Sequence, residues 1–251
     1  MYRYFAKLAY MGTPFHGWQT QPNAVTVQEI IEKCFSLIFG EPVAVTGCGR
    51  TDTGVHASEY YLHFDVLTLL DRKKKEDWLF RLNNFLPNEI TVNNLFQVKE
   101  NAHARFDAIS RTYSYYISRK KNPFQQAFTM YYYGYLNIEN MNKAAKILME
   151  FTDFSCFSKS KTDVITNNCA VTETFWTEKD GQLVFTISAN RFLRNMVRAI
   201  VGTLLEIGRE RMLVDDIKKI IEGKNRSDAG ASVPAKGLFL TKVVYPEHIF
   251  V

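Results

Sequence analysis

The sequence predicts an α+β fold built on a mainly antiparallel sheet, and three observations carry that prediction. Strand-like and helix-like stretches follow one another in mixed order rather than in strict β-α alternation. Two strand-like runs, Val171 to Thr177 and Gln182 to Ile187, are joined across Asp180-Gly181, which is a hairpin signature. The order strand, helix, strands, helix in the first half is answered by strands, helix, hairpin, helices, strand in the second, with no sequence repeat between the halves.

Length and composition set the frame. A chain of 251 residues buries roughly 70 to 75 per cent of its unfolded surface, enough for one large domain or two small ones. A hydrophobic content of 46% with 23% charged residues is ordinary for a soluble globular enzyme. No apolar run reaches the roughly 18 residues needed to span a bilayer, and Met1-Tyr2-Arg3-Tyr4 leads into a strand pattern rather than a signal peptide. A cytoplasmic protein without a membrane attachment is therefore expected. Cys34, Cys48, Cys156 and Cys169 are scattered without a close pair, so they are expected to be free thiols. The histidines lack metal-ligand spacing and no glycine-rich phosphate loop with a following lysine occurs, so neither a metal nor a nucleotide cofactor is expected. The net charge of +5 points mildly toward a polyanionic partner.

Tyr2 to Tyr10 alternates as a strand, with Tyr4, Ala6, Leu8 and Tyr10 on one face. Met11-Gly12-Thr13-Pro14 breaks it and an aromatic loop, Phe15 to Gln21, follows. Thr26 and Glu29 form a capping box for a helix whose stripe is Val27, Ile30, Ile31, Cys34, Phe35 and Ile38, ended by Gly40 and Pro42. Strands are expected at Val43 to Val45 and Tyr60 to Val66. Between them lies the loop that concentrates chemistry: Gly49-Arg50-Thr51-Asp52-Thr53-Gly54-Val55-His56 places Arg50, Asp52 and His56 within seven residues. On composition alone, Asp52 reads as a turn residue bonded to backbone N–H groups, with Arg50 as a surface ion-pair partner.

The run Arg72-Lys73-Lys74-Lys75 reads as a solvated turn, with RNA contact as its functional alternative, before a short helix opening at Asp77 and carrying Trp78, Leu79, Leu82 and Phe85. Ile90 to Val98 is a strand, and so is the aromatic row Arg111-Thr112-Tyr113-Ser114-Tyr115-Tyr116. Asn140 to Phe151 reads as a helix, and Phe154 to Lys161 as a polar, mildly basic loop. A helix is predicted from Arg191 to Ile207, stopped by Gly208; Arg191, Arg194 and Arg198, spaced by three and four, would share a face of it. A last helix carrying Ile217, Ile220 and Ile221 and a strand from Gly237 to Tyr245 finish the chain.

Several of these stretches resemble one family. Gly49-Arg50-Thr51-Asp52-Thr53-Gly54-Val55-His56-Ala57 resembles the active-site motif of the tRNA pseudouridine synthase A family, whose essential carboxylate falls on Asp52; Thr53 stands where the family usually has Ala. Phe15-His16-Gly17-Trp18-Gln19 resembles another family segment, with Met11 at a position commonly Asp. His103-Ala104-Arg105-Phe106-Asp107-Ala108 is similar to a family stretch with Ser at the place of Asp107. Arg111-x-Tyr113-x-Tyr115 is similar to the motif whose first tyrosine packs on the target base, and Met196-Val197-Arg198-Ala199-Ile200-Val201-Gly202 to the one whose arginine pairs with the carboxylate, with Ala199 for Asn. The matches run in order from Tyr10 to Pro246.

The resemblance implies two similar subdomains, 1–101 with the Asp52 loop and 102–251 with Tyr113 and Arg198, flanking an active-site cleft. It implies isomerisation of uridine to pseudouridine on the 3′ side of the anticodon arm of tRNA, positions 38–40, by a homodimer. Asp52, Arg198 and Tyr113 would be catalytic. Tyr113 would also bind the substrate, with Arg50, His56, Arg191 and Arg194. The isomerisation is balanced in atoms and electrons, so no cofactor is implied. Two other classes remain open: a non-catalytic RNA-binding protein of the same fold, and a base-releasing N-glycosidase, which a lone carboxylate would also serve.

Overall fold

A computed structural model of the protein describes residues 1–159 and 166–251. The tail of the polar loop expected at Phe154 to Lys161 lies partly outside these residues. The chain divides into two compact units, Met1–Ile109 with Leu240–Val251, and Ser110–Phe239.

In the first unit, strand β1 (Tyr2–Tyr10) lies between two partner strands and buries residues on both faces, Tyr4, Ala6 and Leu8 on one and Phe5 on the other. Helix α1 (Val27–Phe39) follows, capped by the Thr26 hydroxyl, which accepts from the Glu29 N–H at 3.4 Å, and ended by Gly40 at φ +73°. The short β2 (Thr46–Gly47) pairs with β3 (His56–Val66), Thr46 opposite His63. Helix α2 (Arg72–Phe85) and strand β4 (Ile90–Gln97) complete the unit, with β3 and β4 flanking β1, both antiparallel. Tyr4, Phe35 and Phe64 are fully buried or nearly so and fill the space under α1, the Phe35 and Phe64 rings meeting at 5.0 Å. The Cys34 thiol reaches the Leu82 carbonyl at 3.8 Å, so α1 and α2 pack side by side. On the opposite face of β1, Phe5 is fully buried against Val98, Ala102, Ala104 and Ile249.

Several features of this unit differ from the sequence reading. The strand expected at Val43 to Val45 does not form, the pairing residues being Thr46–Gly47, and β3 begins at His56 rather than Tyr60. Helix α2 begins five residues before Asp77: the Asp71 carboxylate accepts from the Lys74 N–H at 2.9 Å, and Arg72 to Lys75 form its first turn rather than a loop. Lysine and arginine are good helix formers, and a capping Asp outweighs their poor fit to the positive end of the helix dipole. Phe85 is 60% exposed and does not join the core.

The second unit starts with β5 (Ser110–Ser118), against whose end the short β6 (Met130–Tyr131) runs parallel. Helix α3 (Ile138–Ile147) is capped by Asn137 and tightens into a 3₁₀ turn at Leu148–Glu150. Strands β7 (Val171–Lys179) and β8 (Gln182–Ala189) form the expected hairpin, with Asp180 and Gly181 both at positive φ, and β8 pairs antiparallel with β5. Helices α4 (Met196–Gly208) and α5 (Asp216–Gly223) follow, and β9 (Leu238–Val244) carries the chain from this unit back into the first. The pairings within the units are antiparallel except β5 with β6, which agrees with the predicted α+β class and mainly antiparallel strands.

Helix α4 starts later than its apolar periodicity suggests. Asn195 adopts a left-handed conformation, φ +67°, that no helix continues through, and its side-chain amide donates to the Ser232 hydroxyl at 2.6 Å. Arg191 and Arg194 therefore lie on the segment entering α4, not on a face shared with Arg198. Among the described residues, no helix is long and apolar enough to cross a membrane.

Candidate active site

The loop bearing Asp52 is held from beneath by aromatic side chains. Tyr10 at the end of β1 and Tyr60 within β3 are buried, and Trp18 stacks on Tyr60 with ring centroids 4.2 Å apart. The Tyr60 hydroxyl donates to the Gly49 carbonyl at 2.5 Å, and the Tyr10 hydroxyl shares a hydrogen with the Thr51 hydroxyl at 2.8 Å. The Trp18 backbone N–H donates to the Thr51 carbonyl at 3.1 Å. Gly17, at φ +89°, brings its backbone so near that a Cβ would sit 2.6 Å from the Thr51 oxygen. Both neighbours of the turn are thus fixed: Thr51 is buried, and the Val55 N–H closes onto the Asp52 carbonyl at 3.1 Å. The outcome is a half-buried Asp52 on a rigid turn, beside an exposed Arg50.

His56 is not a loop residue. It opens β3 at 1% exposure and accepts the Gly12 N–H through Nδ1 at 3.1 Å, tying the chain after β1 to the far end of the Asp52 loop. A buried histidine with that partner is a positioning group for the loop.

His63, also on β3, plays a similar part for the stretch His103–Ala108. Its Nδ1 accepts the Ala104 N–H at 3.1 Å, and burial, then the charges of Arg3 and His103, push its pKa down to about 4. His103 turns its own Nδ1 to the N–H groups of Arg105 and Phe106, while the Asp107 carboxylate accepts the His103 N–H at 2.7 Å. Asp107 thus performs the turn-closing bond that a serine could also make, which accounts for the substitution.

In the second unit, Tyr113 sits on β5 opposite Ile187, 9% exposed, its ring edge-on to Phe192 at 5.1 Å. Phe192 belongs to the same segment as Arg191 and Arg194, so Tyr113 and this segment are brought together. Arg111, two residues before Tyr113, is buried and donates to the Asn190 carbonyl at 2.7 Å, anchoring that segment to β5. Arg198 lies in the first turn of α4, half-buried, and its Nε donates to the Val233 carbonyl at 2.7 Å. It is near Tyr115, whose phenol is pushed above its usual range by burial and drawn back in part by the Arg198 charge; the Tyr115 hydroxyl donates to the Pro234 carbonyl at 2.8 Å. The family-like glycine of this helix has a steric reason: a Cβ on Gly202 would stand 1.8 Å from the Ala231 oxygen. Helix α4 and the 229–234 strip therefore run in close contact, also joined by the Val233 N–H to Arg198 carbonyl bond at 3.2 Å.

The sequence singles out Asp52, Arg50, Tyr113 and Arg198 as candidates, but not the supporting contacts of Tyr10, Tyr60 and Arg111. Their signal was faint, since aromatic residues in strands read as ordinary core.

A family model described as tRNA pseudouridine synthase matches residues 144–246. A tRNA pseudouridine synthase A of Bacteroides thetaiotaomicron is 51% identical, covering 100% of this chain and 93% of its own length. One of Porphyromonas gingivalis is 49% identical with 100% of both chains covered, and one of Clostridium acetobutylicum is 41% identical over 95% of this chain and 97% of its own. With likeness of this degree along the whole length, the chain belongs to the tRNA pseudouridine synthase A family, a family of isomerases.

Proposed function

We propose that this chain converts uridine to pseudouridine in tRNA, on the 3′ side of the anticodon arm, as a cytoplasmic homodimer. Asp52 is the essential carboxylate, Arg198 its charge partner, and Tyr113 the ring that packs on the target base. The observation that carries this reading is the Asp52 turn: the stretch leading into it is pinned at Thr51 by Tyr10 and Trp18 and at Gly49 by Tyr60, while Asp52 itself stays half-buried. A reacting group held in one place by its surroundings lowers the cost of reaching the transition state.

The chemistry asks for little else. The bond between the base nitrogen N1 and the ribose breaks, the uracil turns, a bond from its C5 to the same ribose carbon forms, the C5 proton leaves to solvent and N1 takes up a proton in its place. No electron is gained or lost overall. Asp52 supplies an anionic group beside sugar and base, through attack on the ribose, attack on the base or removal of a ribose proton. An arginine beside it keeps it ionised where burial would otherwise neutralise it. Tyr113 stacks on the uracil and, in this reading, serves as the base that takes the C5 proton.

A stacked, paired uridine must be drawn out of its helix first, at a cost of a few kcal/mol. Arg50, exposed at the tip of the same turn, is suited to fill the vacated space, while His56 holds the turn's far end, and Arg191, Arg194 and the first turn of α2 contact phosphates.

The test is nucleoside chromatography of an unmodified tRNA transcript after incubation with wild-type and Asp52→Ala protein. Pseudouridine should appear with the wild type alone. Binding of the transcript with no pseudouridine from the wild type would leave an RNA-binding protein of this fold.

A further inference from the structure

A second surface lies on the other end of β5 from Tyr113. Tyr113 and Ser118 are five residues apart on one strand, a separation of roughly 17 Å at about 3.3 Å per residue. At Ser118 the strand is joined by β6, with Ser118 opposite Tyr131. From Tyr131 to Tyr135 the side chains alternate in exposure: Tyr131 is 50%, Tyr133 84% and Tyr135 69% exposed, whereas Tyr132 turns inward. Tyr132 lies between two guanidiniums, Arg209 at 4.8 Å and Arg119 at 5.8 Å from its ring, and Arg119 also donates to the Gly134 carbonyl. These contacts anchor the segment through Tyr132 and the Gly134 carbonyl, while the rings of Tyr131, Tyr133 and Tyr135 stay exposed. Lys120 and Lys121, both exposed, follow Arg119 directly.

Three solvent-facing tyrosines within five residues are costly to leave bare, and such patches mark interaction sites. Three exposed rings within five residues, the last set off by the bend at Gly134 (φ +133°), beside consecutive cations, match the chemistry of a single-stranded nucleic acid, whose bases stack on flat rings and whose phosphates meet lysine. A second copy of this chain fits less well, because a two-fold interface sets each patch against itself and would bring Lys120 and Lys121 toward their own copies.

We propose that Tyr131, Tyr133 and Tyr135 form a stacking platform for unpaired nucleotides of the substrate RNA, with Lys120 and Lys121 on the adjoining phosphates. The inference rests on the reading that the chain acts on RNA, and it adds a contact region remote from the reacting uridine.

The test compares wild-type protein with a Tyr131→Ala/Tyr133→Ala/Tyr135→Ala variant and the matching triple Phe variant. The probes are a fluorescent single-stranded oligouridylate of about eight nucleotides and a blunt RNA duplex. The Ala variant should bind the oligouridylate about tenfold more weakly or worse, given the loss per base on alanine substitution of stacking rings. The Phe variant should bind it as the wild type does, and all three should bind the duplex alike. Unchanged oligouridylate binding by the Ala variant would overturn the proposal. So would its conversion to a smaller species in sedimentation, which would make the patch a contact between copies. Pseudouridine assayed on the same wild-type preparation separates the two readings. Tyrosine-dependent binding without isomerisation leaves the platform and removes the enzyme, and isomerisation with indifferent tyrosines does the reverse.

Discussion

Asp52 and Arg198 are singled out by the order of the residues around them, Gly49 to Ala57 and Met196 to Gly202, which resembles family motifs; composition alone reads as a plain turn and a solvated arginine face. The side chains that place them are not singled out, since Tyr10, Tyr60 and Thr51 act through hydroxyls whose partners are far away along the chain. Gly17 shows the same dependence on distant contacts: Gly17→Ala would drive a methyl group into the Thr51 carbonyl from an unfavourable φ. It should destabilise the fold by about 2 kcal/mol or more and lower turnover further through a displaced Asp52, as denaturant melts and kinetics together would read. His63 gives a pH signature. Its folded pKa falls from 6.5 to about 4, because burial and the nearby Arg3 and His103 charges outweigh Asp65 and Asp107. Between those values the unfolded chain binds the extra proton, so stability that is full above about pH 6.5 is lost as pH falls toward 4. The loss should be on the order of 2 kcal/mol, and a His63→Gln protein should show a flatter stability profile across that window. An equally steep profile in the variant would assign the acid sensitivity elsewhere.

The elements were mostly readable where a cap and an apolar period agreed, as at α1, whose Thr26 cap and Gly40 stop stand where the sequence puts them. Thr26→Ala should cost about 1 kcal/mol in a denaturant melt. Reading failed where one residue's backbone overrode a longer pattern. The apolar stripe running back to Leu193 extends the predicted α4 too far, because the left-handed Asn195 ends helical geometry there and takes Ser232 as its partner. Asn195→Gly keeps that backbone and loses one hydrogen bond, whereas Asn195→Ala loses both. The alanine protein should therefore be the less stable by about 1 kcal/mol, a difference that equal melting curves would refute. At α2 the opposite error occurred: a run of cations looked like a solvated turn, and a single capping Asp71 made it helix.

At the scale of the whole molecule, the family relationship was legible because matched segments recur in order along the entire chain, far beyond what one short motif could carry. The return of Leu240–Val251 to the first unit was not, since a closing strand carries no local mark of the partner it will join. With a net charge of +5 and basic residues at Arg72 to Lys75 and Arg119 to Lys121, binding of tRNA should weaken steeply with salt. If six or more phosphates are neutralised, affinity should fall by about a thousandfold between roughly 50 and 200 mM. The central claim is that Asp52 serves an isomerisation that moves the glycosidic bond from nitrogen to C5. Its most direct test is a tRNA transcript carrying tritium at uridine C5, incubated with wild-type and Asp52→Ala protein. Tritium should be released to water by the wild type alone, with every base still in the RNA. Release by both proteins, or free uracil in the supernatant, would contradict it.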